Sequence, residues 1–186
     1  MSLADLTKDA EQKMKKTVDA TQHDFSTIRT GRATPTLVDG ISVDYFGTPT
    51  PLTQLAGISV PDSRQLLITP YDRSMTAAIE KAIKNSDLNI NPVNDGVAVR
   101  LTIPPLTEER RKEFVKILNK KSEEGRVSIR NIRRDINDQF KALVKKSEAS
   151  EDESKRAQDG LQKLTDRYII EIDRITKAKE AELLEV

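Results

Sequence analysis

The sequence predicts an α+β protein of two domains, a long three-helix bundle with a small β/α/β sandwich inserted into it. Three observations carry this. Apolar residues recur three and four apart in stretches near 3–29, 107–146 and 151–184, which is the helical period. Between the first and second stretch the period drops to two, as in half-buried strands. The helical seams are narrow, which suits helix packing on helix. The bundle is assigned to residues 1–30 and 106–186, and the inserted domain to residues 31–105.

The chain has 186 residues, enough for one large or two small domains. Hydrophobic residues make up 36% and charged residues 33%, with no Trp. That balance suits long exposed helices better than a thick core. With no Cys, disulfides, thiolate catalysis and Cys-based metal sites are excluded. Met1 to Leu6 holds no long apolar run, so no signal peptide is expected. No stretch approaches a membrane span. The expectation is a soluble cytoplasmic protein.

The first helix, over 3–29, carries a seam of Leu3, Leu6, Ala10, Met14, Val18, Phe25 and Ile28. His23 falls off it and is expected to be exposed and inert. Gly31 and Pro35 in Thr30-Gly31-Arg32-Ala33-Thr34-Pro35 stop the helix. Alternation over Ile41–Tyr45 predicts a strand, and Phe46–Pro51 reads as a turn. Gly57–Val60 and Gln65–Thr69 are further strands, separated at Pro61-Asp62. A short helix is expected from Asp72 to Ser86, with Ser74 as its cap. Asn94-Asp95-Gly96 is a turn. Val97, Val99, Leu101 and Ile103 alternate in a last strand that Pro104-Pro105 ends. Between Arg32 and Pro104 there are six cations and seven acids, so this domain carries no basic footprint.

The second helix, from Thr107 to Lys146, holds the basic stretch. Its seam is Phe114, Ile117/Leu118, Ile129, Ile132, Ile136, Phe140 and Leu143, and Arg126, Arg130, Arg133, Arg134 and Lys141 fall beside it. Asp135 and Asp138 lie on the other flank, and the cation stripe reads as uninterrupted by acids. The helix counts 13 Lys+Arg against 7 Asp+Glu, a net of +6 in a chain of net +1. Such local excess is the footprint of a nucleic-acid surface. Arg predominates in the stripe, and its planar fork suits phosphate and stacks on bases. Gly125, costly inside a helix by about 1 kcal/mol, marks a bend or a close contact. Ser150 and Glu153 have the spacing of a capping box. The third helix follows to Leu184, with Ala157, Leu161, Leu164, Tyr168, Ile172 and Ile175 on one face.

Five motifs carry a close resemblance to the ribosome recycling factor family. They are Ile28-Arg29-Thr30-Gly31-Arg32-Ala33, Tyr45-Phe46-Gly47-Thr48-Pro49-Thr50-Pro51-Leu52, Asp72-Arg73-Ser74-Met75, Pro104 to Lys112, and Val127 to Asp135. Ser150-Glu151-Asp152 and Gln162-Lys163-Leu164-Thr165-Asp166 fit as well, so the resemblance spans essentially the whole chain. It implies an L-shaped, monomeric molecule that binds the post-termination ribosome, chiefly large-subunit ribosomal RNA at the subunit interface. It implies that elongation factor G and GTP then drive subunit splitting, releasing mRNA and tRNA. It places the RNA-contacting residues on Arg111, Arg130 and Arg133, with Arg134 and Arg29 beside them. No cofactor is expected, because GTP is used by the partner. The two chain crossings, Thr30-Gly31-Arg32 and Pro104-Pro105-Leu106, are the expected hinge.

Residues alone weigh against an enzyme. There is no Gly-rich phosphate loop with Lys, and the single His has no evident orienting partner. A coiled-coil adaptor accounts for the seams but not for the Arg stripe or the inserted domain. A general RNA-binding protein would bind free RNA as well as ribosomes.

Overall fold

The computed structural model describes residues 1–185. They form two compact units, Met1–Ile28 with the described residues from Glu109 onward, and Arg29–Glu108.

The first unit packs three long helices together: α1 (Leu3–Ser26), α4 (Glu108–Lys145) and α5 (Glu151–Leu184). α1 begins with a capping box, Ser2 and Asp5 each bonding the other's backbone. The box expected at Ser150 and Glu153 opens α5. The α1 seam is buried at Leu6, Ala10, Met14, Val18 and Phe25, and Thr21 fills its gap. α4 buries Leu118, Ile129, Ile136 and Phe140. Ile117 is exposed, and Phe114, Ile132 and Leu143 are half-buried. Between Leu118 and Ile129 the seam runs through small residues, Ser122 and Gly125, both buried. α5 buries Leu161, Tyr168, Ile172, Ile175 and Leu183. α4 ends in a Schellman motif: Glu148 N–H reaches the Leu143 carbonyl and Ser147 N–H that of Val144. Ser147 takes the left-handed position, φ +59°, where glycine is usual.

The second unit is the small sheet domain. β1 (Ser42–Tyr45) and β2 (Thr48–Pro51) form an antiparallel pair. β3 (Ala56–Asp62), β4 (Gln65–Pro70), β5 (Val93–Asn94) and β6 (Val99–Thr102) form an antiparallel sheet of order β3-β4-β6-β5. A short helix, α2 (Leu52–Leu55), links the two sheets, and α3 (Thr76–Lys84) packs against strands of both. Val43, Leu52, Leu66, Ile68, Ile79, Ile83, Val99 and Leu101 make one core.

Several expectations are corrected here. The first helix stops at Ser26, three residues early, where the Thr27 side chain bonds the Asp24 carbonyl. Thr48–Pro51 is a strand rather than a turn. Its prolines lie on a two-stranded ribbon, whose outer edges need no donor. The turn is only Phe46-Gly47, both at positive φ, the pattern of a two-residue hairpin. β3 runs through Pro61-Asp62, and the break comes at Ser63-Arg64. Asp72, not Ser74, is the cap: its carboxylate accepts from the Ser74 N–H at 2.9 Å and from the Ser74 hydroxyl at 2.8 Å. A 3-10 turn (Arg73–Met75) precedes α3. Val97 lies outside β6 and is exposed, because Asp95 accepts the Val97 and Ala98 N–H groups and folds that segment into a turn.

Candidate nucleic-acid interface

The cation-bearing face belongs to the middle turns of α4, which three close approaches hold against its neighbours. A Cβ on Gly125 would lie 2.7 Å from Thr21 Oγ1 and 2.8 Å from Ile172 Cδ1. Glycine here therefore marks a three-helix contact. Ser122 Oγ and Thr176 Oγ1 are 2.8 Å apart and buried. The Thr176 hydroxyl already donates to the Ile172 carbonyl at 2.6 Å, so Ser122 is the donor between the pair. Arg126 Nε donates to Asp173 Oδ1 at 2.8 Å.

From that anchor the arginines divide by partner. Arg126 is 24% exposed in its side chain and lies between two carboxylates, with Nη2 2.7 Å from Asp173 Oδ1 and Nη1 3.1 Å from Glu123 Oε2. Burial works against its charge, but the bonds to Asp173 and Glu123 outweigh it and raise its pKa. Arg130 is half-buried, with Nη1 3.2 Å from Glu123 Oε1. The stripe is thus interrupted by an acid, contrary to the sequence reading. Glu123 stands three and seven residues before those arginines, spacings that return to the same helix face. Arg133 is half-buried and donates from Nη1 to Gln162 Oε1 on α5 at 2.8 Å. Arg134 and Lys141 are exposed. Arg111 is half-buried near the start of α4.

Arg29 belongs to the small unit. Its guanidinium donates to the Leu88 carbonyl at 3.2 Å and the Asp87 carbonyl at 3.3 Å. The six hinge candidates are also in that unit. Gly31 has φ +75°, and Leu106 Cγ and N both lie 3.3 Å from where its Cβ would be. Proline cannot adopt that φ, so a proline at this position would distort the segment. Pro104 and Pro105 are exposed and Thr30 is half-buried. His23 is exposed, as expected.

Among the described residues no group of His, Cys, Asp or Glu could hold a metal ion, and no helix is long and apolar enough to cross a membrane. The face offers positive charge and hydrogen-bond donors, which is the chemistry of phosphate recognition.

The model of the family described as "Ribosome recycling factor" matches residues 21–184. The chain belongs to the ribosome recycling factor family. Ribosome-recycling factors of Legionella pneumophila (strain Paris) and Desulforamulus reducens are each 55% identical over 182 residues, covering 98% of both chains. A solution structure of the ribosome recycling factor superposes with a TM-score of 0.80 at 46% identity, covering 100% of this chain and 99% of that one. A second structure gives models for the T. thermophilus ribosome recycling factor and the E. coli elongation factor G bound to the E. coli post-termination complex. It matches with a TM-score of 0.67 at 44% identity over 100% of both chains.

For this ribosome recycling factor family member, residue reading isolated Arg130, Arg133 and Arg134, while Arg111 and Arg29 came with the resemblance. It passed over two residues that shape the face. Glu123 was legible from its spacing. Gln162 was noted only within a motif of the third helix, and no pattern along one helix reports which residue of another it meets.

Proposed function

We propose that this chain is a translation factor that binds the post-termination ribosome and, with elongation factor G and GTP, splits it into subunits, so that mRNA and tRNA leave. The observation that carries this is the match to ribosome-recycling factors at 55% identity over 98% of the chain. The α4 face supplies a physical route. Arg111, Arg130, Arg133 and Arg134 on the bundle contact phosphates or base faces of large-subunit ribosomal RNA at the subunit interface, and Arg29 offers a further contact from the small domain. The chain acts in the cytoplasm as a monomer. It is not an enzyme and takes no cofactor of its own, since GTP hydrolysis belongs to the partner. The crossings at Thr30-Gly31-Arg32 and Pro104-Pro105-Leu106 are the proposed hinge.

The test adds the protein, elongation factor G and GTP to post-termination ribosomes and follows light scattering. The expected result is a fall in scattering that requires all three. Constant scattering overturns the reading. Co-sedimentation with intact large subunits, set against free RNA of equal length, separates a ribosomal factor from a general RNA binder.

A further inference from the structure

Arg133 differs from its neighbours in what holds it. Arg126 and Arg130 donate to carboxylates, which offset their charge. Arg133 donates from Nη1 to a neutral amide, Gln162 Oε1, at 2.8 Å. Gln162 Nε2 then donates to Asp166 Oδ1, one turn further along α5, at 2.9 Å. Chemistry fixes the orientation of that amide, because a guanidinium only donates and a carboxylate only accepts. Among the described residues Gln162 is the one hydrogen-bond partner of Arg133, whose buried Nε has none.

We propose that Gln162 is a positioning residue for Arg133: it anchors the guanidinium to α5 through one N–H and leaves the positive charge available to a phosphate. The proposal rests on the reading that Arg133 meets ribosomal RNA. The amide acts as a spacer between cation and acid. A carboxylate at the same place would hold the arginine equally well, but its charge would have to be separated from the arginine, or share it, when phosphate arrived. Asp166 holds the amide without touching the cation. Arginine loses rotamer entropy when it is held in place, and a side chain ordered in advance loses less of it on binding.

A bond that only tacked α5 to α4 would affect stability and not recognition, so the test reads both. Ribosome affinity is measured by filter binding over a salt series for the full chain, Gln162→Met, Arg133→Ala and the double variant. Methionine keeps the length of the side chain and removes the acceptor. Gln162→Met is expected to weaken binding about 3- to 10-fold, the cost of ordering one long side chain. Its salt slope should match the parent, since no cation is lost. Arg133→Ala should lower that slope by roughly 0.7–0.9. On the Arg133→Ala background, Gln162→Met should cost nothing more. In the free protein, rotation about the Arg133 Cζ–Nε bond, read by nitrogen NMR, should speed up in Gln162→Met. Gln162 is exposed, so the fold should survive; Gln162→Ala repeats the measurement with a smaller side chain. An equal loss on both backgrounds would show that Gln162 acts independently of Arg133. Full affinity for Gln162→Met beside a weakened Arg133→Ala would sink the positioning role alone. Full affinity for Arg133→Ala would remove the RNA contact itself.

Discussion

Gly125 on α4 meets Thr21 on α1 so closely that a Cβ at residue 125 would lie 2.7 Å from the threonine Oγ1. That hydroxyl is tied to the Thr17 carbonyl at 2.8 Å, and a β-branched side chain has little rotamer freedom in a helix. Alanine at 125 would gain about 1 kcal/mol of helix propensity. Overpacking a tight contact costs about 1–3 kcal/mol. Gly125→Ala should therefore lower stability by about 1 kcal/mol in thermal or urea melting, and Thr21→Ala in the same chain should recover part of the loss. A stabilised Gly125→Ala would show that α1 can move aside without cost.

Arg126 and Arg134 should respond differently to truncation. Arg126 bridges α4 to Asp173 on α5, and its removal leaves that partly exposed acid without its cation. Arg126→Ala should cost about 1 kcal/mol of stability, the scale of a charge-assisted bond partly screened by water. Arg134 is exposed, and Arg134→Ala should leave the melting temperature within a degree or so of the parent. Paired melts decide it: a larger loss for Arg134 would contradict the division of the face into structural and free cations.

Glu123 pairs with Arg126 and Arg130, so under the proposed RNA contact it would compete with phosphate for them. Glu123→Gln should strengthen ribosome binding by about 0.3–1 kcal/mol, the range of exposed ion pairs. The gain should fade as salt rises, because salt already screens the pair. Filter binding at low and physiological ionic strength checks this, and weaker binding by the variant would place Glu123 on the productive side of the interface.

The helix caps make stability depend on pH. The Ser150 N–H, and then its hydroxyl, favour the Glu153 carboxylate and hold its pKa below the ordinary 4.5. Bonds from the Ser2 N–H and hydroxyl do the same for Asp5, below 3.8. A depressed folded-state pKa means that the unfolded chain takes up protons first on acidification. Both contributions are complete above the ordinary values and are lost as pH falls through the lower folded ones. Glu153→Gln should reduce stability at pH 7, with the difference from the parent shrinking as pH falls below 4.5. Melting curves from pH 7 to pH 3 measure it; a difference that grew on acidification would be wrong in sign.

Ser147 occupies the left-handed position after α4 at φ +59°. A non-glycine residue pays about 1 kcal/mol or more there, offset in part by the greater freedom that glycine has when unfolded. Ser147→Gly should stabilise the bundle by about 0.5 kcal/mol in urea melting. A loss of stability would mean that the serine hydroxyl supports the turn.

Local rules read most of the fold correctly from the residues. The helix stretches follow from apolar spacing, Ser150 and Glu153 announce their cap, and Gln65–Thr69 reads as a strand. The misses have local causes as well. Two prolines at Pro49 and Pro51 looked like a turn because the sequence does not reveal that their strand belongs to a two-stranded ribbon. Asp72 outcompeted Ser74 as cap because a carboxylate two residues upstream could accept both the N–H and the hydroxyl of Ser74.

By itself, the sequence determined the helical period, the basic excess of α4 and the motifs of the family, because each is a property of neighbours along the chain. Only tertiary structure decided what Arg126 and Arg133 meet on α5. Arg126 is neutralised by Asp173, forty-seven residues away, while Arg133 meets Gln162, twenty-nine away. Spacing within α4 shows Glu123 beside Arg126 but not which α5 residue each of these two arginines meets, although they occupy the same face two turns apart. Their difference comes from the register of α5 against α4, set where Gly125 lets the helices approach and where Ser122 bonds Thr176. That register places an acid beside one cation and an amide beside the other.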